Sequence, residues 1–373
     1  MIKWKEVKLM SSFIGDPFSI YFNMMKIKYN EYDKILTNAN FLNERDKINV
    51  FINLETVFKY LSMINDLEKK LILQKQYPTI FVSNILNLAA HYKRFFISNG
   101  LDTRVYLYHT DFNSDEFNEY KYNDEYRSYF IIKYNNNPKF VYMTDGLKSS
   151  ILPETRSISE FIPRVYYISS HNIEGSLVPY IIGEDDKTRK NIIITGEFNE
   201  TQYSLIPNYF CSYIHTGIGS RNICSSISET LEEITKKTNN DLESLYNTYS
   251  HYGTYCSLLS ALGDRMRSIE GLNGIGPRIL EKYIHRGITR NEIQLSTNNP
   301  NMLGNIFHDE EIKEEFINNF YCMSLIDMYN ELSTSNILSV LNQRKDRFDN
   351  ESLMKLNATK FYNYPLTLEA LCL

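Results

Sequence analysis

Apolar and polar positions change period several times along the chain, and each change marks an element. The run over residues 48–52, Ile-Asn-Val-Phe-Ile, is short, apolar and β-branched, which predicts a buried strand. Behind it Val57, Phe58, Leu61, Ile64 and Leu67 recur at helical spacing and predict a helix over residues 55–76. A second helix is expected over residues 84–98, with Ile85, Leu88, Ala89, Tyr92 and Phe95 on one face and Gly100 as its stop. Residues 104–108 and 163–168 predict two more strands, residues 174–182 a helix, and residues 191–195 (Asn-Ile-Ile-Ile-Thr) the clearest strand, closed by Gly196. Residues 112–160 are rich in Tyr, Asn and charge and give no clear period, apart from short apolar pieces at 129–132 and 140–143. From residue 225 to 262 the pattern is helical, and beyond residue 291 it is mostly helical, strongest over 310–332.

Strands alternating with helices imply βαβ units, hence an α/β fold with a parallel, doubly wound sheet flanked by helices. In such sheets the chemistry lies beyond the carboxyl ends of the strands. The chain divides into an N-terminal extension (1–46), an α/β part (47–224), a helical part (225–290) and a C-terminal helical part (291–373).

Composition narrows the class. With 373 residues, 43% hydrophobic and 23% charged, the chain has ordinary globular proportions. The net charge of −5 excludes a generally basic nucleic-acid coat, so any such contact is local. The five cysteines lie far apart without CxxC spacing, which argues against zinc and disulfide frameworks and fits a reducing compartment. The charged opening residues, Met-Ile-Lys-Trp-Lys-Glu, predict no signal peptide, and no apolar run approaches the ~20 residues of a membrane span. A cytoplasmic protein without a membrane partner is expected.

The segment Gly263 to Arg278, GDRMRSIEGLNGIGPR, concentrates glycines (Gly271, Gly274, Gly276) between two helix-prone stretches and reads as a tight turn between helices. Between residues 261 and 290 six basic side chains face three acidic ones, a local excess in an acidic chain. Arg278, Lys282 and Arg286 recur every four residues, along one helix face, and suit a phosphate backbone. Lys93 and Arg94 on the second predicted helix are lesser candidates for the same role. Gly217-Ile-Gly219-Ser220 lacks the lysine of a phosphate loop and reads as a turn.

With these motifs the chain resembles the 5′-nuclease family, which includes flap endonucleases, polymerase-associated 5′–3′ exonucleases and a phage RNase H. The resemblance rests on Gly263, Asp264, Ile269, Gly271, Gly274, Ile275, Gly276, Pro277 and Arg278, which follow the family's helix–three-turn–helix, and spans roughly residues 48–290. It implies a PIN-like sheet, a helix–three-turn–helix that holds duplex DNA, and carboxylates at strand ends for two Mg²⁺ ions. Tyr120, Lys121 and Arg127 resemble, with stretched spacing, the family's arch-opening element.

Carried over position by position, the metal-facing set is altered. The family's first strand-end aspartate falls on Asn53, and the second on Asp111, with Asp145 as an alternative acidic strand end. Its E-A-D-D motif falls on Glu174, Gly175, Ser176 and Leu177. Its T-G-D-x-D falls on Thr195, Gly196, Glu197, Phe198 and Asn199, with Gln202 following. Asp264 is kept, and Arg267 replaces its partner. Glu174, Glu197, Asp264 and Asp111 are therefore the residual metal candidates, and Asn53, Ser176, Asn199 and Arg267 mark the degenerate positions. An asparagine brings an oxygen but no charge, and an arginine stays protonated and takes a cation's place.

The expected cofactor is accordingly none, or weakly bound Mg²⁺, and the expected partner is DNA, branched or duplex, bound without regard to sequence. Three functions follow: a DNA-binding member with impaired catalysis, which the altered carboxylates favour; an active Mg²⁺-dependent 5′–3′ exonuclease or flap endonuclease with a reduced metal set; or a structural protein, such as a phage component in its host's cytoplasm, with protein partners at the N- and C-terminal regions. Glu174 and Glu197 also admit plainer roles, as a helix N-terminal residue and a solvated loop residue, and Asp264 as a helix cap.

Overall fold

The computed structural model describes residues 46–56, 77–111, 145–160, 162–171, 173–217, 220–224, 226–235, 239–264, 269–288 and 299–344. Residues 1–45 of the N-terminal extension, the arch-like element at 120–127, Arg267 and residues 345–373 lie outside them, as does the predicted helix over 55–76 beyond its first two residues.

Six strands form one sheet: β1 (Lys47–Asn53), β2 (Asp102–Asp111), β3 (Val165–His171), β4 (Lys190–Thr195), β5 (Tyr209–Gly217) and β6 (Ser220–Cys224), in the order β3-β2-β1-β4-β5-β6. The first five are parallel, and β6 turns back antiparallel to β5 with Ser220 opposite Gly217. The α/β, parallel, doubly wound expectation holds, with this antiparallel edge added. The chain winds outward from β1 in both directions, so the point of reversal lies between β1 and β4.

Central strands in a parallel sheet are covered on both faces, which is why β1 and β4 read as near-continuous apolar runs. Ile48, Val50, Phe51 and Ile52 are all fully buried, each stabilising by about 1.5–3 kcal/mol. Phe51, Tyr106 and Tyr166 sit opposite one another on three adjacent strands and stack at centroid distances of 4.8 and 5.0 Å. This aromatic ladder accounts for part of the chain's tyrosine content.

Helix α1 (Tyr77–Ser98) starts seven residues before the predicted helix over 84–98 and lays its predicted apolar face on the sheet; Ile85, Leu88, Ala89 and Tyr92 are fully buried. Gly100 stops it with φ of 83°. Lys93 on this helix is not a surface cation. It is buried, and its Nζ donates to the Pro163 carbonyl at 2.7 Å, tying α1 to the entry of β3, so the phosphate-contact expectation for it is corrected. Arg94 beside it is exposed. Helix α2 (Asp145–Ser159) was not expected, and Asp145 opens it rather than ending a strand. Strand β3 begins two residues later than predicted, because Pro163 and Arg164 form a turn in which Arg164 takes φ of 60°.

After β3, a 3₁₀ turn (Gly175–Leu177) leads into α3 (Val178–Asp185), and a longer 3₁₀ segment (Asn199–Leu205) follows β4. The helical stretch predicted over 225–262 is three helices: α4 (Ile227–Thr235), α5 (Asn239–Tyr249) and α6 (Tyr252–Leu262). The glycine-rich turn then leads into α7 (Pro277–Gly287). Gly263 ends α6 with φ of 67°, and a Cβ there would lie 2.4 Å from the Gly271 nitrogen, so only glycine fits. Among the described residues four further helices follow: α8 (Pro300–Gly304), α9 (Glu310–Met323), α10 (Leu325–Asn330) and α11 (Thr334–Leu341). The predicted helix over 310–332 breaks at Ser324, whose extended backbone and side-chain cap start α10. Phe316, Phe320 and Met323 of α9 join the same core as the sheet's inner residues. At the end of α11, Gln343 Oε1 accepts from the Ser169 N–H at 2.9 Å and its Nε2 donates to the Ser169 carbonyl at 2.8 Å, on β3.

The opposite, amino-terminal end of the strands is held by charge. Buried Arg189 donates to the carbonyls of Ile48 and Asp102, both at 3.1 Å, and pairs with the Asp102 carboxylate at 2.6 Å. No helix among the described residues is long and apolar enough to cross a membrane.

Candidate functional site

The carboxyl ends of β1, β2 and β4, with the segment after β3, border a small, partly open cleft. It is lined by Asn53 and Glu55, by Tyr108, His109 and Thr110, by Glu174, Gly175 and Ser176, and by Glu197. This is where a doubly wound sheet puts its site, beside the reversal of strand order. Glu174 and Glu197 thus belong to one cleft. Both are buried, so Glu197 is not a solvated loop residue, and Glu174, which does stand at the N-cap of the 3₁₀ turn Gly175–Leu177, does not do so at the surface.

Asn53 ends β1 and begins the next helical turn. Its Oδ1 accepts from the Glu55 N–H at 2.8 Å and, at 3.4 Å, from the Thr56 N–H, which caps the turn. Its Nδ2 donates to Glu200 Oε2 at 2.9 Å. Both ends of the amide are therefore committed within the protein. Thr56 closes the circuit by accepting from the Gly196 N–H at 2.6 Å.

Glu200 is the buried carboxyl behind the cleft that the sequence reading passed over. It is fully buried, one residue beyond Asn199, and also accepts from the Tyr108 hydroxyl at 2.7 Å. Burial pushes its carboxyl up to about 7; hydrogen bonds from Thr195, Asn53 and Tyr108 oppose that rise, and the charge of Glu174 adds to it. Burial and the neighbouring Glu200 hold the Tyr108 hydroxyl far above its ordinary value, so it keeps its proton and remains a donor. The signal that could have found Glu200 is its place in the frame Thr195-Gly196-Glu197-Phe198-Asn199-Glu200, where an extra acid follows the altered position.

Two altered positions are bonded to each other: Asn199 Nδ2 donates to Ser176 Oγ at 3.1 Å. Leu177 is fully buried in the core and faces no ligand. His109 was likewise unassigned. Its Nδ1 donates to the Thr110 carbonyl at 3.0 Å, which leaves Nε2 to accept from the Tyr167 hydroxyl at 2.6 Å in the neutral ring. Asp111 closes β2 opposite His171, three residues past the Tyr108 that pairs with Asn53.

Asp264 is buried in the glycine-rich turn rather than capping α7, whose N-cap is Gly276. Its N–H and carbonyl pair with those of Ile269 at 2.8 and 2.9 Å.

A pair of Mg²⁺ ions needs several charged oxygens free to turn toward it. The donor set is short of charge: Asn53 is spent on a helix cap and on Glu200, Leu177 offers no donor atom, and Asn199, whose Nδ2 goes to Ser176, has only a neutral Oδ1 left to offer. Among the described residues no three of His, Cys, Asp and Glu converge on a point that would hold a metal ion.

The second candidate surface is α7. Leu280 and Ile284 are buried, whereas Arg278, Lys282 and Arg286 are exposed, so the three cations share the solvent face. Gly276 caps the helix without a side-chain hydrogen bond, and Asn273 and Gly274 before it are exposed.

No family model matches the chain, and no curated protein matches it. Among solved structures, its fold is similar to that of the bacteriophage T5 5′-exonuclease with zinc bound, at 13% identity and a TM-score of 0.46, covering 80% of this chain and 98% of that one. It is similar also to a T5 flap endonuclease pseudo-enzyme–product complex with DNA and metal ions, at 15% identity, 79% and 98% coverage and a TM-score of 0.43. A third is the catalytic core of Rad2 in complex with a DNA substrate, at 10% identity, 87% and 90% coverage and a TM-score of 0.36. At these identities the likeness concerns the arrangement of the fold alone.

Proposed function

We propose that this protein uses a 5′-nuclease-like scaffold to bind DNA and that its cleft no longer supports two-metal cleavage. The observation that carries the reading is Asn53, whose carboxamide is committed at both ends, to the backbone N–H groups of Glu55 and Thr56 and to Glu200. A strand-end oxygen so engaged supplies neither charge nor a free lone pair toward a cation in the cleft. Glu174 and Glu197 remain on the wall, and two carboxylates without the rest of the set hold at most a weak, single Mg²⁺.

Binding belongs to α7. Arg278, Lys282 and Arg286 step along its solvent face at about 6 Å per four residues, a rise that lets successive cations meet successive phosphates. The amino end of the same helix, at Gly276, adds N–H groups and a positive dipole end. Neither contact reads a base, so the interaction is indifferent to sequence and sensitive to salt.

The test has two arms. A flap or 5′-recessed DNA is incubated with Mg²⁺ or Mn²⁺, and no cleavage is expected; metal-dependent release of 5′ product overturns the loss of catalysis. Duplex binding is titrated with salt for the wild type and for Arg278→Ala with Lys282→Ala, where weaker binding and a shallower salt slope are expected. Equal slopes would remove α7 from the interface and leave a scaffold with some other role.

A further inference from the structure

The turn that presents α7 is held from behind by a residue outside the glycine-rich motif. Helix α6 ends with carbonyls that have no partner within the helix. The Leu259 carbonyl is taken by the Gly263 N–H at 2.9 Å, and the Ala261 carbonyl by the Leu272 N–H at 2.9 Å. The Ser260 carbonyl between them is taken by Asn319 of α9, whose Nδ2 lies 3.1 Å away. The same Nδ2 donates to the Glu270 carbonyl at 2.8 Å, in the turn itself. Asn319 is fully buried, between Phe316 and Phe320, which are also fully buried. One amide therefore joins the last turn of α6 to the first half of the loop that ends at Gly276. Close backbone approach leaves little slack, because a Cβ at Gly271 would lie 2.6 Å from the Leu262 carbonyl oxygen.

We propose that Asn319 is a positioning residue for the DNA-facing turn and that α9 is thereby a working part of the DNA grip. This rests on the reading of α7 given above. With the amide in place, Glu270 to Gly276 have one path from α6 to α7, and the exposed Gly274 and the start of α7 are presented in a fixed direction. Without it, the buried Ser260 carbonyl is left without this donor, and the Glu270 carbonyl loses the turn's link to the helical layer beneath it. The cations on α7 are untouched, so affinity falls while the number of phosphates neutralised stays the same.

The experiment uses the full chain with Asn319→Leu, which keeps the forked four-atom side chain and removes the donor, and Asn319→Ser as the smaller change should the bulkier leucine form not fold. Two readouts are taken on each: hydrogen exchange at the Leu272 and Ile275 amides, and the affinity for a fluorescent DNA duplex across a salt series. The expected result is about tenfold faster exchange at Leu272, with α1 and the central strands unchanged, and about tenfold weaker duplex binding with an unaltered salt slope. Unchanged exchange at Leu272 overturns the positioning role. Faster exchange with unchanged affinity overturns its link to DNA. If the wild-type protein binds no duplex at all, the reading of α7 has failed, and the DNA half of this proposal falls with it; the exchange measurement then decides the structural half alone.

Discussion

Asn53 Nδ2 donates to Glu200 Oε2 at 2.9 Å, across 147 positions of sequence, and places a neutral amide where the strand end meets the cleft and a carboxyl group behind it. The one ionisable group of the pair thus sits beneath the cleft floor, out of reach of anything bound there. Protonation of Glu200 therefore bears on stability. Its carboxyl, pushed by burial to about 7 from an ordinary 4.5, is protonated in the folded chain where the unfolded chain has released the proton. The stabilisation is complete below about pH 4.5 and is lost as the pH rises toward 7, a fall of about 3 kcal/mol from this group. Chemical denaturation at pH 5 and pH 8 measures the difference. Glu200→Gln, neutral throughout, is expected to remove that part of the pH dependence.

Divalent metal should do little for this fold. A ligand that binds only the folded state raises stability with its concentration, and a site left with two carboxylates of the full set gains little from it. The melting temperature in millimolar Mg²⁺ or Mn²⁺ is expected to equal that in EDTA; a rise with metal concentration would return the two-metal reading.

Two glycines in one turn should respond differently. Gly271→Ala puts a Cβ 2.6 Å from the Leu262 oxygen and 2.7 Å from the Ala261 oxygen, both backbone atoms, and is expected to cost about 2 kcal/mol or more. Gly274→Ala meets nothing within 4 Å and carries only the strain of φ near 73°, about 1 kcal/mol. Urea unfolding of the two variants side by side checks the order.

Arg189 offers a control at the far end of the strands. Arg189→Met leaves the Ile48 and Asp102 carbonyls without their buried donor and is expected to cost about 3 kcal/mol. Duplex affinity, measured at a temperature where the variant is folded, should be unchanged, because the cleft and α7 lie elsewhere.

Much of this architecture is legible in the chain. The apolar runs of β1 and β4 announce strands buried on both faces, and the face of α1 is readable from the spacing of Ile85, Leu88 and Tyr92. Strands β5 and β6 are not, because Tyr209–Gly217 mixes aromatic, thiol and hydroxyl side chains that bury well only beside β4 and the 3₁₀ segment. Helix α2 hides behind Pro153 and a polar surface. At the cleft, Glu174 and Glu197 follow from their positions after β3 and β4. Glu200 is marked only by its place after Asn199; its burial and its partners on β1 and β2 are revealed by no spacing. Lys93 failed for the opposite reason: a lysine on an amphipathic helix reads as solvent-facing, yet this one spends its charge on the Pro163 carbonyl.

The contact of Gln343 with Ser169 has a consequence for how copies of the molecule meet. Strand β3 is the outermost on its side of the sheet, and such an edge is a template for further strands. By offering an oxygen to the N–H and an N–H to the oxygen of the same residue, the glutamine imitates the peptide group of an absent seventh strand. An extended segment of another chain could lengthen the sheet there only by first prising the end of α11 away.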